Sequence, residues 1–391
     1  MDQVDWDFIK AQLPAGWRER AVELGLVRPQ PPQLRAKVTD IEQVLRPLLL
    51  RIGLETSLVT ATAATVMAKA IATERGDATA AAAQLVELSA PALHYWERKL
   101  PAYLSELIAG MIGASETFSP ARWHGYELVV VDGTTVTRPG ATGTTARVLY
   151  ALRLADMCLL GQHETDEHGS ESMRSFDVHP GQLWIGDRFY ANPYDVAWVV
   201  DAGADVLVRY KFSALPVYNL QGEPFDVMRH VRRLRAPNQT GEWPVEVHPK
   251  DHTPVRGRLC AVRLPKEKAD EARARLRREE GAAVTVRALE AAGWLILFTS
   301  GPAERMTIRE ALNLYRLRWQ AELEIKRDKS LGGLDKLPNF RPDTIATWLL
   351  GKLLIQQIAR RIASPGVAFP PSAAGASAFL SPPKRDRREA A

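Results

Sequence analysis

Four polar residues, Tyr315, Arg318, Glu322 and Lys329, are spaced i, i+3, i+7 and i+14. At about 100° per residue they fall within an arc of about 60° on a helix, along about 21 Å of its length. Leu314, Leu317, Ala321 and Ile325 border this stripe on one side, and Leu312, Trp319 and Leu323 on the other. Arg316, Gln320, Glu324 and Arg327 take the far side. A plain surface helix would use the same residues only for i,i+4 pairs such as Arg318 with Glu322. A polar stripe with apolar borders on both edges instead points into a cleft. Two aspartates add to it: Asp132 follows the apolar run Leu128 to Val131, and Asp187 follows Leu183 to Ile185. A lone Asp after a strand is an ordinary turn or cap residue. At a buried strand end, however, a carboxylate costs free energy unless it meets a proton, a metal or a cationic group. Three converging carboxylates are what two Mg²⁺ ions about 3.5 to 4 Å apart require for in-line displacement at a phosphate.

The elements that must position these residues read as mixed α/β. Residues 1–115 carry Ala-rich and Leu-rich helical stretches (38–52, 58–73, 80–87, 90–113) with breaks at 28–33 and 76–79, as in a small all-α N-terminal domain; short helices of this kind fit a helix-turn-helix DNA reader, although most such bundles are not one. From 116 to 210 the pattern turns to strands: 128–131, 147–154, 157–160, 183–185 and 205–208, with a helix after Asn192-Pro193. Residues 211–290 form a basic, β-rich insertion that ends in a charged helix, 266–280. Residues 291–363 return to a buried strand (294–298), one long helix (307–329) and an apolar helix (344–362). The Ala-, Pro- and Ser-rich tail 364–391 reads as disordered.

With 46% hydrophobic and 25% charged residues, the chain is neither fibrous nor disordered throughout. No apolar run reaches the roughly 18 residues of a membrane span, and the N-terminus lacks a signal-peptide pattern. Cys158 and Cys260 cannot form a disulfide framework or a four-thiolate zinc site, so a reducing cytoplasm is expected. Net charge is +5. Residues 205–290 hold 17 Lys and Arg against 12 Asp and Glu, so the whole excess sits there. Within that segment Arg229, Arg232, Arg233 and Arg235 crowd together, a pattern that suits phosphate contacts but also occurs on solvated surfaces.

Several patterns are set aside. The histidines of His163-Glu-Thr-Asp-Glu-His168 are five apart, about 140° on a helix, so they cannot share a zinc ion; the stretch reads as an exposed polar turn. The Gly140–Thr145 stretch lacks the Lys of a phosphate loop, and neither Cys has a convincing His partner in the sequence.

The motifs resemble those of D-D-E transposases of the insertion sequence 4 family. Its Y-x2-R-x3-E-x6-K signature is matched without a gap by Tyr315, Arg318, Glu322 and Lys329. Asp132-Gly133-Thr134 resembles its D-G-T motif. Gly186-Asp187-Arg188-Phe189-Tyr190 resembles G-D-R-G-Y, from which Phe189 departs. The likeness spans about residues 126–329. It implies a ribonuclease-H-like catalytic core and metal-dependent strand cleavage and transfer at insertion-sequence ends, by a cut-and-paste route. Asp132, Asp187 and Glu322 would hold two Mg²⁺ or Mn²⁺ ions. Tyr315, Arg318, Lys329 and Arg188 would contact DNA, and Trp294 would stack on a displaced base. The partners implied are double-stranded DNA (terminal inverted repeats and target) and a second copy of the chain assembled on it, in the bacterial cytoplasm at the nucleoid. Rival readings are an inactive relative that regulates by binding DNA, and a carboxylate-pair hydrolase such as a glycosidase.

Overall fold

A computed structural model describes residues 3–27, 38–63, 67, 88–113, 122–166, 168–281, 284–338 and 342–363. The expected helix 80–87 and the tail 364–391 lie outside the described residues. A single mixed sheet of eight strands has the order β3-β2-β1-β4-β5-β8-β7-β6. The strands are β1 (Glu127–Val136), β2 (Ala146–Arg153), β3 (Leu159–Asp166), β4 (Gln182–Gly186), β5 (Asp205–Arg209), β6 (Thr240–Val247), β7 (Val255–Arg263) and β8 (Trp294–Thr299). β1, β2 and β3 run antiparallel, and β4 and β5 lie parallel to β1. β8, β7 and β6 complete the sheet as antiparallel neighbours.

Along β1 the alternation of side chains sorts the two faces. Val129 and Val131 join Trp184, Val206 and Phe298 in one core. It is closed by α6 (Pro193–Asp201) and α7 (Val227–Val231). The start of α6 is the expected one: Pro193 sits in the first turn, and the Asn192 side chain accepts from the Asp195 amide. Val130 points to the opposite face with Ile185, Leu207 and Leu297. There α10 (Ile308–Arg316) and α11 (Trp319–Ser330) cover it. A Thr307–Glu310 capping box starts α10. Further along that face Val136, Val148, Tyr150 and Leu152 share one continuous core with α12 (Pro342–Ala363) and the N-terminal helices. Those helices are α1 (Gln3–Lys10), α2 (Trp17–Glu23), α3 (Glu42–Gly53), α4 (Ala90–Glu97) and α5 (Pro101–Gly113).

Four expectations change. The strand at Leu128 continues through Asp132-Gly133-Thr134 to Val136, because β2 pairs with all of it. His163 to Asp166 is not a polar turn but the second half of β3, where its alternation is anchored by β2. The insertion does not stand apart: β6 and β7 extend the central sheet beside β8, followed by α8 (Lys266–Glu280) and α9 (Val286–Ala291). The long helix 307–329 is broken. Leu317 and Arg318 bond three residues back, to Leu314 and Tyr315, and Gln320 and Ala321 do the same to Leu317 and Arg318. This 3-10 turn tightens the winding to about 120° per residue and re-aims α11 relative to α10.

Candidate active site

Asp132 and Asp187 come together through strand pairing. Val130 of β1 is level with Ile185 of β4 in parallel register. Two residues further on, Asp132 and Asp187 therefore emerge side by side on the same face. The next strand contributes Arg209, which follows the Gly186–Val208 pair by one residue. From above, Arg318 at the helix break reaches down. Its Nη1 donates to Asp132 Oδ2 at 2.9 Å, and its Nη2 donates to Glu322 Oε1. One guanidinium thus spans a strand acid and a helix acid, across 186 residues of sequence on the strand side. At the other end of α11 the Lys329 ammonium donates to the Thr135 carbonyl on β1, at 3.2 Å.

Burial dominates the electrostatics. It pushes the Asp132 carboxyl up to about 7, against the opposing pull of Arg318 and the Gly133 amide and with added repulsion from Asp187 and Glu322. Asp187 is raised for the same first reason. Its opposing influences are the Phe189 amide, which donates to Oδ1 at 2.7 Å, and then Arg318, Arg188 and Arg209. Burial also lowers Arg209, an effect countered by Tyr315 and Asp187. Arg318 is desolvated too, but Tyr315, Asp132 and Glu322 outweigh that and keep it firmly protonated. Tyr315 is raised by burial and held near both Arg209 and Arg318. Such a site concentrates negative charge at low solvation and keeps cations beside it.

Among the described residues, no three carboxylate, imidazole or thiolate groups are close enough to hold one ion as they stand. The donor chemistry nevertheless fits a hard cation. Carboxylate oxygens are its usual ligands, and Asp132 and Glu322 already meet at one positive group, the Arg318 guanidinium, while burial raises Asp132 even so.

Not every expected residue converges. Trp294 is only 7% exposed and packs in the core of the opposite sheet face, beneath the Arg263 guanidinium at 4.2 Å. Alternation along β8 turns it away from Asp132, so it does not offer a stacking surface to this site. Arg188 lies over the exposed Phe189 ring. Arg229, Arg232, Arg233 and Arg235 are exposed on and after α7, and Arg232 is held by Glu290 through two 2.8 Å bonds. Arg209 is absent from the residues expected on sequence grounds although a signal existed, a lone cation closing the apolar run of β5.

No known protein-family profile matches the chain. It is 34% identical over 260 residues to the transposase for insertion sequence element IS421 of Escherichia coli, a span of 64% of this chain and 70% of that protein. The putative transposase InsL of insertion sequence element IS186A in Escherichia coli strain K12 matches with the same identity and coverage. Among solved structures, a piggyBac transposase synaptic complex with hairpin DNA aligns with 96% of this chain and 77% of its own, at 7% identity and a TM-score of 0.41, too loose to assign a fold. The class is therefore that of the DNA-transposing enzymes. The chain belongs to the insertion-sequence transposases, with those of IS421 and IS186 as relatives. Among the described residues no helix is long and apolar enough to cross a membrane.

Proposed function

We propose that this transposase works by divalent-metal-dependent strand cleavage and transfer in a cut-and-paste reaction, with Asp132, Asp187 and Glu322 as a D-D-E triad. The observation that carries the reading is the Arg318 guanidinium joined to both Asp132 and Glu322 beside Asp187. The strand order β3-β2-β1-β4-β5, antiparallel then parallel, supports a ribonuclease-H-like core for the site. Asp132, Asp187 and Glu322 would hold two Mg²⁺ or Mn²⁺ ions. When bound, such ions supply an activated water or hydroxyl nucleophile and neutralise charge on the attacked phosphate.

The chain's own residues bind and orient the DNA. Arg318 offers a planar fork that suits two phosphate oxygens, and Lys329 a point charge for a neighbouring phosphate. Arg209 and Tyr315 bring a further cation and a hydroxyl to the Asp187 side. Arg188 adds a positive group where the strand leaves the sheet. The exposed Arg229, Arg233 and Arg235 extend the basic surface, and a second copy joins when the ends are paired. The family signature of Tyr315, Arg318, Glu322 and Lys329 belongs to this same reading, as does a place in the cytoplasm at the nucleoid.

The test is a duplex that carries the element's terminal repeat. The full chain should nick it at the element boundary in Mg²⁺ or Mn²⁺ and not in EDTA. Equal nicking in EDTA would overturn the metal assignment.

A further inference from the structure

Phe189 is the position at which the stretch from Gly186 to Tyr190 departs from the family motif, and the structure gives that departure a setting. Its side chain is 52% exposed, a large apolar group standing in solvent beside Asp187. Its amide donates to Asp187 Oδ1 at 2.7 Å, which ties the Phe189 backbone to that acid. Two cations lie over the ring: Lys211, 5.0 Å from its centre, and Arg188, 5.5 Å from it. Lys211 comes from the neighbouring strand, two residues after Arg209. The ends of β4 and β5 together thus build an exposed aromatic ring with positive charge around it.

Phe189 also borders a cleft of about 340 Å³, lined further by Arg147, His168, Ser170 and Glu171. Arg147 is level with Thr135 on β1 and two residues before Leu149, so it belongs to the sheet face opposite the Asp132 side chain. The cleft therefore opens behind the strand ends. Phe189 touches both sides, since its amide is bonded to Asp187 while the residue lines the cleft. Arg147 Nε is buried there without a hydrogen-bond partner among the described residues, and the Glu171 carboxylate stands off from the Arg147 guanidinium at 3.7 Å. A flat apolar ring, a donor lacking an acceptor and a carboxylate acceptor match the face and the polar edges of a nucleobase. The volume sits at the small end of ligand pockets, about 300 to 1,000 Å³, and suits a single base.

We propose that Phe189 and this cleft take up one unpaired nucleotide of the DNA strand that passes Asp187, with the base on the Phe189 ring and the flanking phosphates on Arg188 and Lys211. The inference rests on the reading of Asp187 as a site acid. A cation over an exposed ring contributes about 2- to 5-fold in affinity and a stacked base about 5- to 150-fold, so the base takes the ring and the cations move to the phosphates. A base still paired within a duplex cannot reach the ring, so the site selects nucleotides that have left the stack.

The full chain in EDTA, bound to two duplexes that carry the element's terminal repeat, tests this by fluorescence anisotropy. One duplex is fully paired, and the other is mismatched at the element boundary. Wild type should bind the mismatched duplex more tightly by about 5-fold or more. Phe189→Ala and Phe189→Leu should lose that preference and Phe189→Trp should keep it, because Leu restores apolar volume but no flat face. Melting temperatures should stay near wild type, as the ring is exposed. A wild-type preference in folded Phe189→Ala would overturn the proposal, as would equal binding of the two duplexes by wild type. A preference kept by Phe189→Leu would overturn stacking in favour of bulk alone. No metal or cleavage enters these ratios, so they stand apart from the reading beneath, which normal Mg²⁺-dependent cleavage by Asp187→Asn would bring down.

Discussion

Arg318 holds one acid on a strand and another one turn along its own helix, and the two bonds differ in setting. Asp132 is largely buried, whereas the Glu322 side chain is 41% exposed. A surface pair with Glu322 alone would contribute at most about 1 kcal/mol. Holding a buried acid beside a reacting phosphate is a different task. Arg318→Ala should reduce strand cleavage by orders of magnitude, with little change in melting temperature because Asp132 can then take a proton. Arg318→Lys should rescue poorly, for lack of a planar fork. Cleavage rates and thermal unfolding on the same variants check this, and normal cleavage by Arg318→Ala would count against a role at the phosphate. The meeting of Asp132, Arg318 and Glu322 was legible because residue type and spacing both carry it. The approach of Arg209 to Asp187 was not, since it depends on the register of β4 with β5.

At the scale of elements, the site depends on how α11 is held against β1. Glu324 and Asp328 face α12, where Arg360 pairs with them at 2.6 and 2.7 Å. Both acids are buried. Removing that cation leaves Asp328 without its ion pair and Glu324 with only the exposed Arg327 at 3.0 Å, a loss of about 2 to 4 kcal/mol given that Arg360 is partly solvated. Arg360→Ala should therefore reduce the unfolding free energy by that amount and raise hydrogen exchange in α11 and α12 together. Unchanged exchange in α11 would mean that α12 does not brace it. Helix starts were legible from capping chemistry, as at Asn192 and Thr307. The break at Leu317-Arg318 was not, since it involves no Pro or Gly. The expectation of a turn at His163 to Asp166 failed because β2 supplies pairing partners that local polarity does not reveal.

Over the whole molecule, charge and topology act together. The segment with the net positive excess contains β6 and β7, whose pairing with β8 makes it part of the sheet that carries Asp132, a non-local fact that composition could not convey. Arg229, Arg233 and Arg235 are exposed there, while Arg232 is tied to Glu290. Replacing the first three by Ala should weaken DNA binding alike for all sequences and flatten its salt dependence by about 0.9 log units per log salt for each phosphate left without its cation. Arg232→Ala should do less. An unchanged slope in the triple variant would place the cluster away from DNA. The central claim is that carboxylates serve the reaction while basic groups hold the DNA. Its most direct test measures binding and Mg²⁺-dependent cleavage of end DNA by Asp187→Asn, next to wild type. The expected result is near-normal binding with cleavage abolished; wild-type cleavage by Asp187→Asn would contradict the account.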